Sequence, residues 1–224
     1  MKITTGLDYR REFAAAWADP GNTRFELPLA DINKVLADRY TTGSPLAFTR
    51  DMLWDVEARK ARQPDRYIPG VVRVGSARTW DQRNLAVSTE SFARASQQRL
   101  WLHPEEYGIV LEQTHLDHQA QKATFIGTAE LAGPVGEPLH ATARQPLFHV
   151  EHSVGGTPAR PVSHWRIVHL TRQPDPALSQ LFSRLAAGPW LPEYIEIYIR
   201  DDLHIRLDRR PYQHQNTIHE EHQP

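Results

Sequence analysis

The sequence predicts an α+β fold in which N-terminal helices pack on a strongly curved antiparallel sheet (a meander, cone or barrel-like form), with a helix near the C-terminus. Three observations carry this. Apolar residues recur at helical spacing through residues 1–65. Between residues 70 and 172 the pattern changes to the alternation of strands. Helix start and stop signals then return at residue 175.

The stretch "LDYRREFAAAWA" sets Leu7 or Tyr9, Phe13, and Ala16 or Trp17 on one helical face. "PLADINKVLADRY" repeats the spacing with Leu29, Ile32, Val35 and Leu36, and Gly43 stops it. A third helix is expected to take Ser44 as N-cap and Pro45 as its first residue, and to end before Pro64. Its segment "WDVEARKAR" is highly charged. A solvated face with an Asp55–Arg59 pair explains that charge; the alternative closes a pocket with Trp54 and Glu57 inside.

In the middle of the chain "EYGIVLEQTHL" reads as a strand, and Asp117 to Gln119 as a tight turn. "KATFIGTAEL" then alternates Ala123, Phe125, Gly127, Ala129 and Leu131 against Thr124, Ile126, Thr128 and Glu130. "LHATARQPLFHVEHSV" and "VSHWRIVHLTR" follow, split by the turn-rich "GGTPARP". Consecutive long strands with short connections favour an antiparallel meander. Asp175 caps the next helix, Pro176 opens it, Leu178, Leu181, Phe182 and Leu185 form its stripe, and Gly188 ends it. "EYIEIYIRDDLHIRLDR" fits a strand or a helix, and Pro192 favours a helix for its first half. Residues 1–210 are expected to form one domain (1–65 helical, 70–172 mainly sheet, 175–207 helical or mixed), and 211–224 a disordered tail.

Composition narrows the function. The formal charge of -1 offers no basic excess for a nucleic-acid backbone or an anionic membrane. Cysteine is absent, which removes disulfides, thiolate metal sites and a cysteine nucleophile. "MKITTGLDYRREF" has no apolar signal core and no run approaches the roughly 18 apolar residues of a membrane span, so a cytoplasmic protein is expected. Only four of the 26 basic residues are lysine, a bias associated with GC-rich bacterial genomes. The sequence has no phosphate loop, dinucleotide-binding glycine motif, nucleophile elbow or H-E-x-x-H motif.

The chemistry concentrates in "LFHVEHSVGGTPARPVSHWRIVHL", Leu147 to Leu170. Side chains alternate faces along a strand. Phe148, Val150, His152 and Val154 therefore share one face, and Leu147, His149, Glu151 and Ser153 the other. Burying the apolar faces together sets Val150 against Ile167, His152 against Trp165, Phe148 against His169 and Glu151 against Arg166. His152 and His169 then point to the apolar side and His149 and His164 away from it. A metal held by both His149 and His152 would need ligands from opposite faces; His149 with Glu151 is the alternative metal reading. His115 shares parity with Tyr107, Ile109 and Leu111, and it joins His152 and His169 if the strands curve around a cavity. Each histidine alone also fits a core imidazole bonded to backbone. Tyr67, Arg99 and Trp101 fit either packing or a pocket rim.

N-terminal helices, a long antiparallel meander and the strand "HWRIVHL" resemble the NTF2-like superfamily of SnoaL-like cyclases and ketosteroid isomerases. The resemblance covers Val162 to Leu170 and otherwise only the order of elements. It implies a conical pocket for a hydrophobic small molecule, with proton transfer or binding alone, and it transfers no catalytic residue.

The leading expectation is a cofactor-independent proton-transfer enzyme (isomerase, cyclase or dehydratase type) acting on a small hydrophobic or polycyclic substrate. His152, His169 and His115 are its acid–base candidates, and Trp165, Phe148, Tyr107 and Trp54 its substrate-binding candidates. A non-catalytic small-molecule binding protein is the second expectation, and a metal-dependent oxygenase or hydrolase using His149 and Glu151 the third. No cofactor, nucleic acid or membrane partner is implied, and a homodimer is left open.

Overall fold

The structure is a computed structural model and describes residues 7–211. Helix α1 (Tyr9–Ala18) is capped by the Asp8 carboxylate, which accepts from the Arg11 amide at 3.0 Å. Short strands β1 (Thr23–Glu26) and β2 (Ala30–Asp31) lead into α2 (Ile32–Arg39) and β3 (Tyr40–Thr42). Helices α3 (Arg50–Arg62) and α4 (Pro64–Tyr67) follow. The sheet is then laid down by β4 (Arg78–Ala86), β5 (Thr89–Leu100), β6 (His103–Asp117) and β7 (Lys122–Thr128). A small hairpin of β8 (Glu130–Ala132) and β9 (Pro138–His140) precedes β10 (Phe148–Thr157) and β11 (Arg160–His169). Helix α5 (Pro176–Ala186), helix α6 (Glu193–Ile197), a π turn over Tyr198–Asp202 and β12 (Leu207–Arg209) complete the described chain.

The main sheet has eight antiparallel strands in the order β1-β11-β10-β7-β6-β5-β4, with β2 also on β11. Its last strand in sequence is thus flanked by one of its first. Bulges in β4 and near Arg99 bend the β4–β5–β6 ribbon. α3 packs across β7, β10 and β11 on what we call the inner face. α1 covers β7 and β10 on the outer face, where Tyr9, Phe13, Ile126 and Val168 form a separate small core.

The register of β10 on β11 is the one parity demands: Val150 faces Ile167, His152 faces Trp165, Phe148 faces His169 and Glu151 faces Arg166. Asp175 caps α5 with its carboxylate, and the first half of the ambiguous segment after Pro192 is helical.

Four expectations need correction. The third helix starts at Arg50 under a Thr49 cap, because Phe48 is buried and Asn33 grips its amide and carbonyl at 2.7 and 2.9 Å, holding residues 44–49 out of a helix. Residues 1–65 are not all helix: β1, β2 and β3 interrupt them. "LHATARQPLFHVEHSV" is not one strand. Pro138–His140 pairs with β8, and residues 141–147 form a loop in which Thr142 bonds to Ile109, so pairing with β7 begins only at His149. Two leucines placed in apolar stripes are exposed: Leu29, because β2 occupies the stretch expected to open that helix, and Leu185 in the last turn of α5, whose buried residues are Leu178 and Phe182. The expected disordered tail, beyond Pro211, lies outside the described residues.

Candidate functional site

Along α3 the buried residues Leu53, Val56, Glu57, Lys60 and Ala61 fall at the i, i+3, i+4, i+7, i+8 spacing of a core-facing stripe. Two of the five are charged. Docking α3 on β10 and β11 therefore carries a carboxylate and an ammonium into the interior, where Glu57 is 1% and Lys60 3% exposed.

Their partners are all near. Lys60 Nζ lies 2.5 Å from Glu57 Oε2 and 3.0 Å from His152 Nδ1. The same Nδ1 is 3.1 Å from Glu57 Oε2. The indole of Trp165 donates to Glu57 Oε1 at 3.3 Å. Rings enclose the rest: Lys60 Nζ sits 4.1 Å from the Trp165 ring centroid and 3.8 Å from that of Tyr194. His152 stacks on Trp165 with centroids 3.9 Å apart, a consequence of their direct pairing across β10 and β11. A second buried ion pair joins Arg94 on β5 to Glu112 on β6 at 2.5 Å, and Arg94 also donates to the Ala61 carbonyl of α3 at 2.7 Å.

Lys60 and the Arg94–Glu112 pair border one cavity of about 120 Å³, lined also by Phe125, Phe148, Val150, Trp165 and Ile167 and by Ile68, Val71 and Trp101. Lys60, His152, Arg94, Glu112 and Gln98 supply its polar surface. A larger cleft of about 330 Å³ lies between Trp80 and the β8–β9 hairpin, but its ionisable residues Arg73, Arg78, Glu137 and His140 are all exposed.

Burial sets the electrostatics. It would raise the Glu57 carboxyl, but the Lys60 charge, with His152, outweighs it and holds Glu57 well below the usual carboxylate range. Burial lowers Lys60 to about 8 against the opposing pull of Glu57, with Arg94 adding to the fall. Burial and the neighbouring Lys60 charge push His152 down to about 4, so its imidazole is neutral at neutral pH. Burial raises Tyr194 well above its ordinary value, which keeps it protonated.

Of the residues singled out from sequence, His152, Trp165 and Phe148 line the cavity together. His169 shares their face but lies packed against the Phe25, Trp101, Phe148 and Phe182 rings, with both nitrogens buried and, among the described residues, unpartnered. His115 is on the outer face, stacked on Tyr9 of α1 at 4.8 Å, and so does not meet His152. Tyr107 is on that outer face as well, beneath Arg73 and Arg99. Their shared parity holds, but it points away from the cavity. Trp54 is turned to His118, donating to its Nδ1 at 3.1 Å.

The alternative metal pair is not brought together as a site. Glu151 is bound by Arg166 and by Lys122 at 3.2 Å, while His149 Nδ1 accepts from the Gly127 amide at 3.1 Å. Among the described residues the cluster with ligand spacing is His103, Glu105 and Glu106, at the surface. Sequence reasoning missed Lys60, Arg94, Glu112 and Tyr194, and it placed Glu57 inside only as an alternative. The signal for Glu57 and Lys60 was present as two charges at core positions of the α3 stripe.

No protein-family model matches this sequence, and no curated protein matches it. Among solved structures the chain is similar to the Zhui aromatase/cyclase from Streptomyces sp. R1128, at 12% identity and a TM-score of 0.47, covering 80% of this chain and 95% of that one. It is also similar to Ara h 8.0201, at 8% identity and a TM-score of 0.47, over 80% of this chain and 99% of that one. A START superfamily protein from Mycobacterium smegmatis is similar at 6% identity and a TM-score of 0.46, over 74% of this chain and 97% of that one. The NTF2-like resemblance is not confirmed by these likenesses. Among the described residues no helix is long and apolar enough to cross a membrane.

Proposed function

We propose that the inner cavity binds a small, largely apolar ring compound and that His152, backed by Lys60 and Glu57, moves a proton on it without a cofactor. The observation that carries this reading is the contact of a neutral, cavity-lining imidazole with a buried ammonium at 3.0 Å. A proton donor and a proton carrier are held in line at an apolar wall, where general acid–base catalysis contributes roughly 10²–10⁴-fold. Lys60 Nζ is hemmed in by Glu57, His152 and two ring faces, which favours proton relay over attack on the ligand. Size restricts the ligand: an engineered apolar cavity of about 150 Å³ takes benzene, so about 120 Å³ suits one ring, and a polycyclic substrate would require the walls to open.

The test is hydrogen–deuterium exchange at the carbons beside the carbonyl of cyclohexanone, followed by proton NMR in heavy water. The wild type is expected to accelerate exchange, and His152→Phe to lose roughly 100-fold or more of that acceleration. Bound cyclohexanone with no acceleration would leave a binding protein; no binding would refute the pocket.

A further inference from the structure

We infer that Lys60 selects which ring nitrogen of His152 carries the proton, and that the cavity at neutral pH is thereby set for an uncharged ligand bearing a carbonyl-type oxygen. This rests on the inner cavity being the ligand site.

One ring nitrogen of His152 has two incompatible neighbours. His152 Nδ1 lies 3.0 Å from Lys60 Nζ and 3.1 Å from Glu57 Oε2. An ammonium only donates and a carboxylate only accepts. While Lys60 is charged, Nδ1 accepts from it, so the single proton of the neutral ring must sit on Nε2. When Lys60 is neutral, Nδ1–H donates to Glu57 instead, and Nε2 presents a lone pair. Among the described residues Nε2 has no hydrogen-bond partner, and it is not among the buried unpartnered atoms, so it meets the cavity that His152 lines.

The surroundings define the ligand's charge. Lys60 is faced by Glu57 from α3, by neutral His152 and Tyr194 from β10 and α6, and by the Arg94–Glu112 pair from β5 and β6. Two carboxylates and two cations cancel, so no net charge is left to hold an ion. What remains is one N–H directed at an apolar space, which a ketone or aldehyde oxygen satisfies and a hydrocarbon leaves unpaired.

Proton transfer balances in the same frame. As Nε2–H passes its proton to the ligand oxygen, Nδ1 takes one from Lys60; the ligand gains a proton, Lys60 loses one, and His152 stays neutral in its other tautomer. In reverse, a proton taken at Nε2 releases the Nδ1 proton to Lys60.

Nitrogen-15 NMR of the wild-type imidazoles from about pH 6 to about pH 10 tests this, since that range brackets the titration of Lys60. His152 is expected as the Nε2–H tautomer at neutral pH and to convert to Nδ1–H as Lys60 titrates, with a midpoint of about 8. Lys60→Met should show Nδ1–H throughout, and if that variant does not fold the wild-type series still decides. An unchanged tautomer across the range overturns the role given to Lys60.

The ligand class is tested with cyclohexanone and its shape-matched alkene, methylenecyclohexane. At neutral pH cyclohexanone is expected to bind about tenfold more tightly, with the preference lost above the Lys60 titration. Equal binding of the two overturns the carbonyl assignment. Failure of both to bind overturns the pocket reading instead, while the tautomer series still decides the role of Lys60.

Discussion

His152 and His169 share one face of the β10–β11 pair, and burial brings both to about 4, yet they are opposites in company. His152 touches a carboxylate, an ammonium and a cavity. His169 touches four aromatic rings, and among the described residues neither of its nitrogens has a partner. A lowered pKa therefore does not distinguish a chemically equipped histidine from one trapped in packing. Partners and open space do.

Removing the polar member of each site should separate the two histidines most strongly. Glu57→Ala leaves the Lys60 charge buried without its carboxylate and should cost about 3–5 kcal/mol in urea unfolding. His169→Phe removes two unpaired polar atoms from an aromatic cage and should change stability by only about 1 kcal/mol, in either direction. Equal losses from the two would erase the distinction.

Acid comes next in size. Both histidines have folded-state values near 4 and unfolded values near 6.5, so the unfolded chain takes up protons first as pH falls. Stability should thus decline between about pH 6.5 and about pH 4, by roughly 3 kcal/mol for each ring. Chemical denaturation at the two ends of that window measures it, and His169→Phe should remove about half of the decline. Glu57, depressed below its ordinary value, adds a further loss only at lower pH. A comparably small effect is expected on the outer face. Arg166→Met breaks the Glu151 pair and the contacts with the Phe13 and Trp17 rings, and should cost about 1 kcal/mol at neutral pH.

Strand register was legible because parity leaves little freedom once Phe148, Val150, Trp165 and Ile167 must be buried together. The same parity misled on β6. Ile109 and Leu111 suggested an inward face, but the β8–β9 hairpin and α1 lie on the outer side, so apolar residues there do not mark the interior. The inward residues of that strand include Glu112 and Thr114, whose polarity argues for solvent until Arg94 is known to be opposite. On α3 the expected Asp55–Arg59 pair lies on the exposed side, while Glu57–Lys60 is buried and Trp54, which the alternative placed inside a pocket, turns to His118 instead. A list of i,i+4 pairs hides the buried pair, whereas the apolar stripe reveals it. β1 is four residues long and pairs with β11, so no local pattern announces it.

The spacing of Glu57 and Lys60 also bears on how the interior is assembled. Three residues apart on one helix, they are within reach of each other before any sheet exists. When α3 docks, the unit withdrawn from water is a preformed dipole, not two separate ions, and its desolvation is correspondingly smaller. Arg94 and Glu112 have no such head start, because they meet only after β5 and β6 are in register. One charge pair is a property of a helix, the other of a sheet, and they come together only where the two layers close.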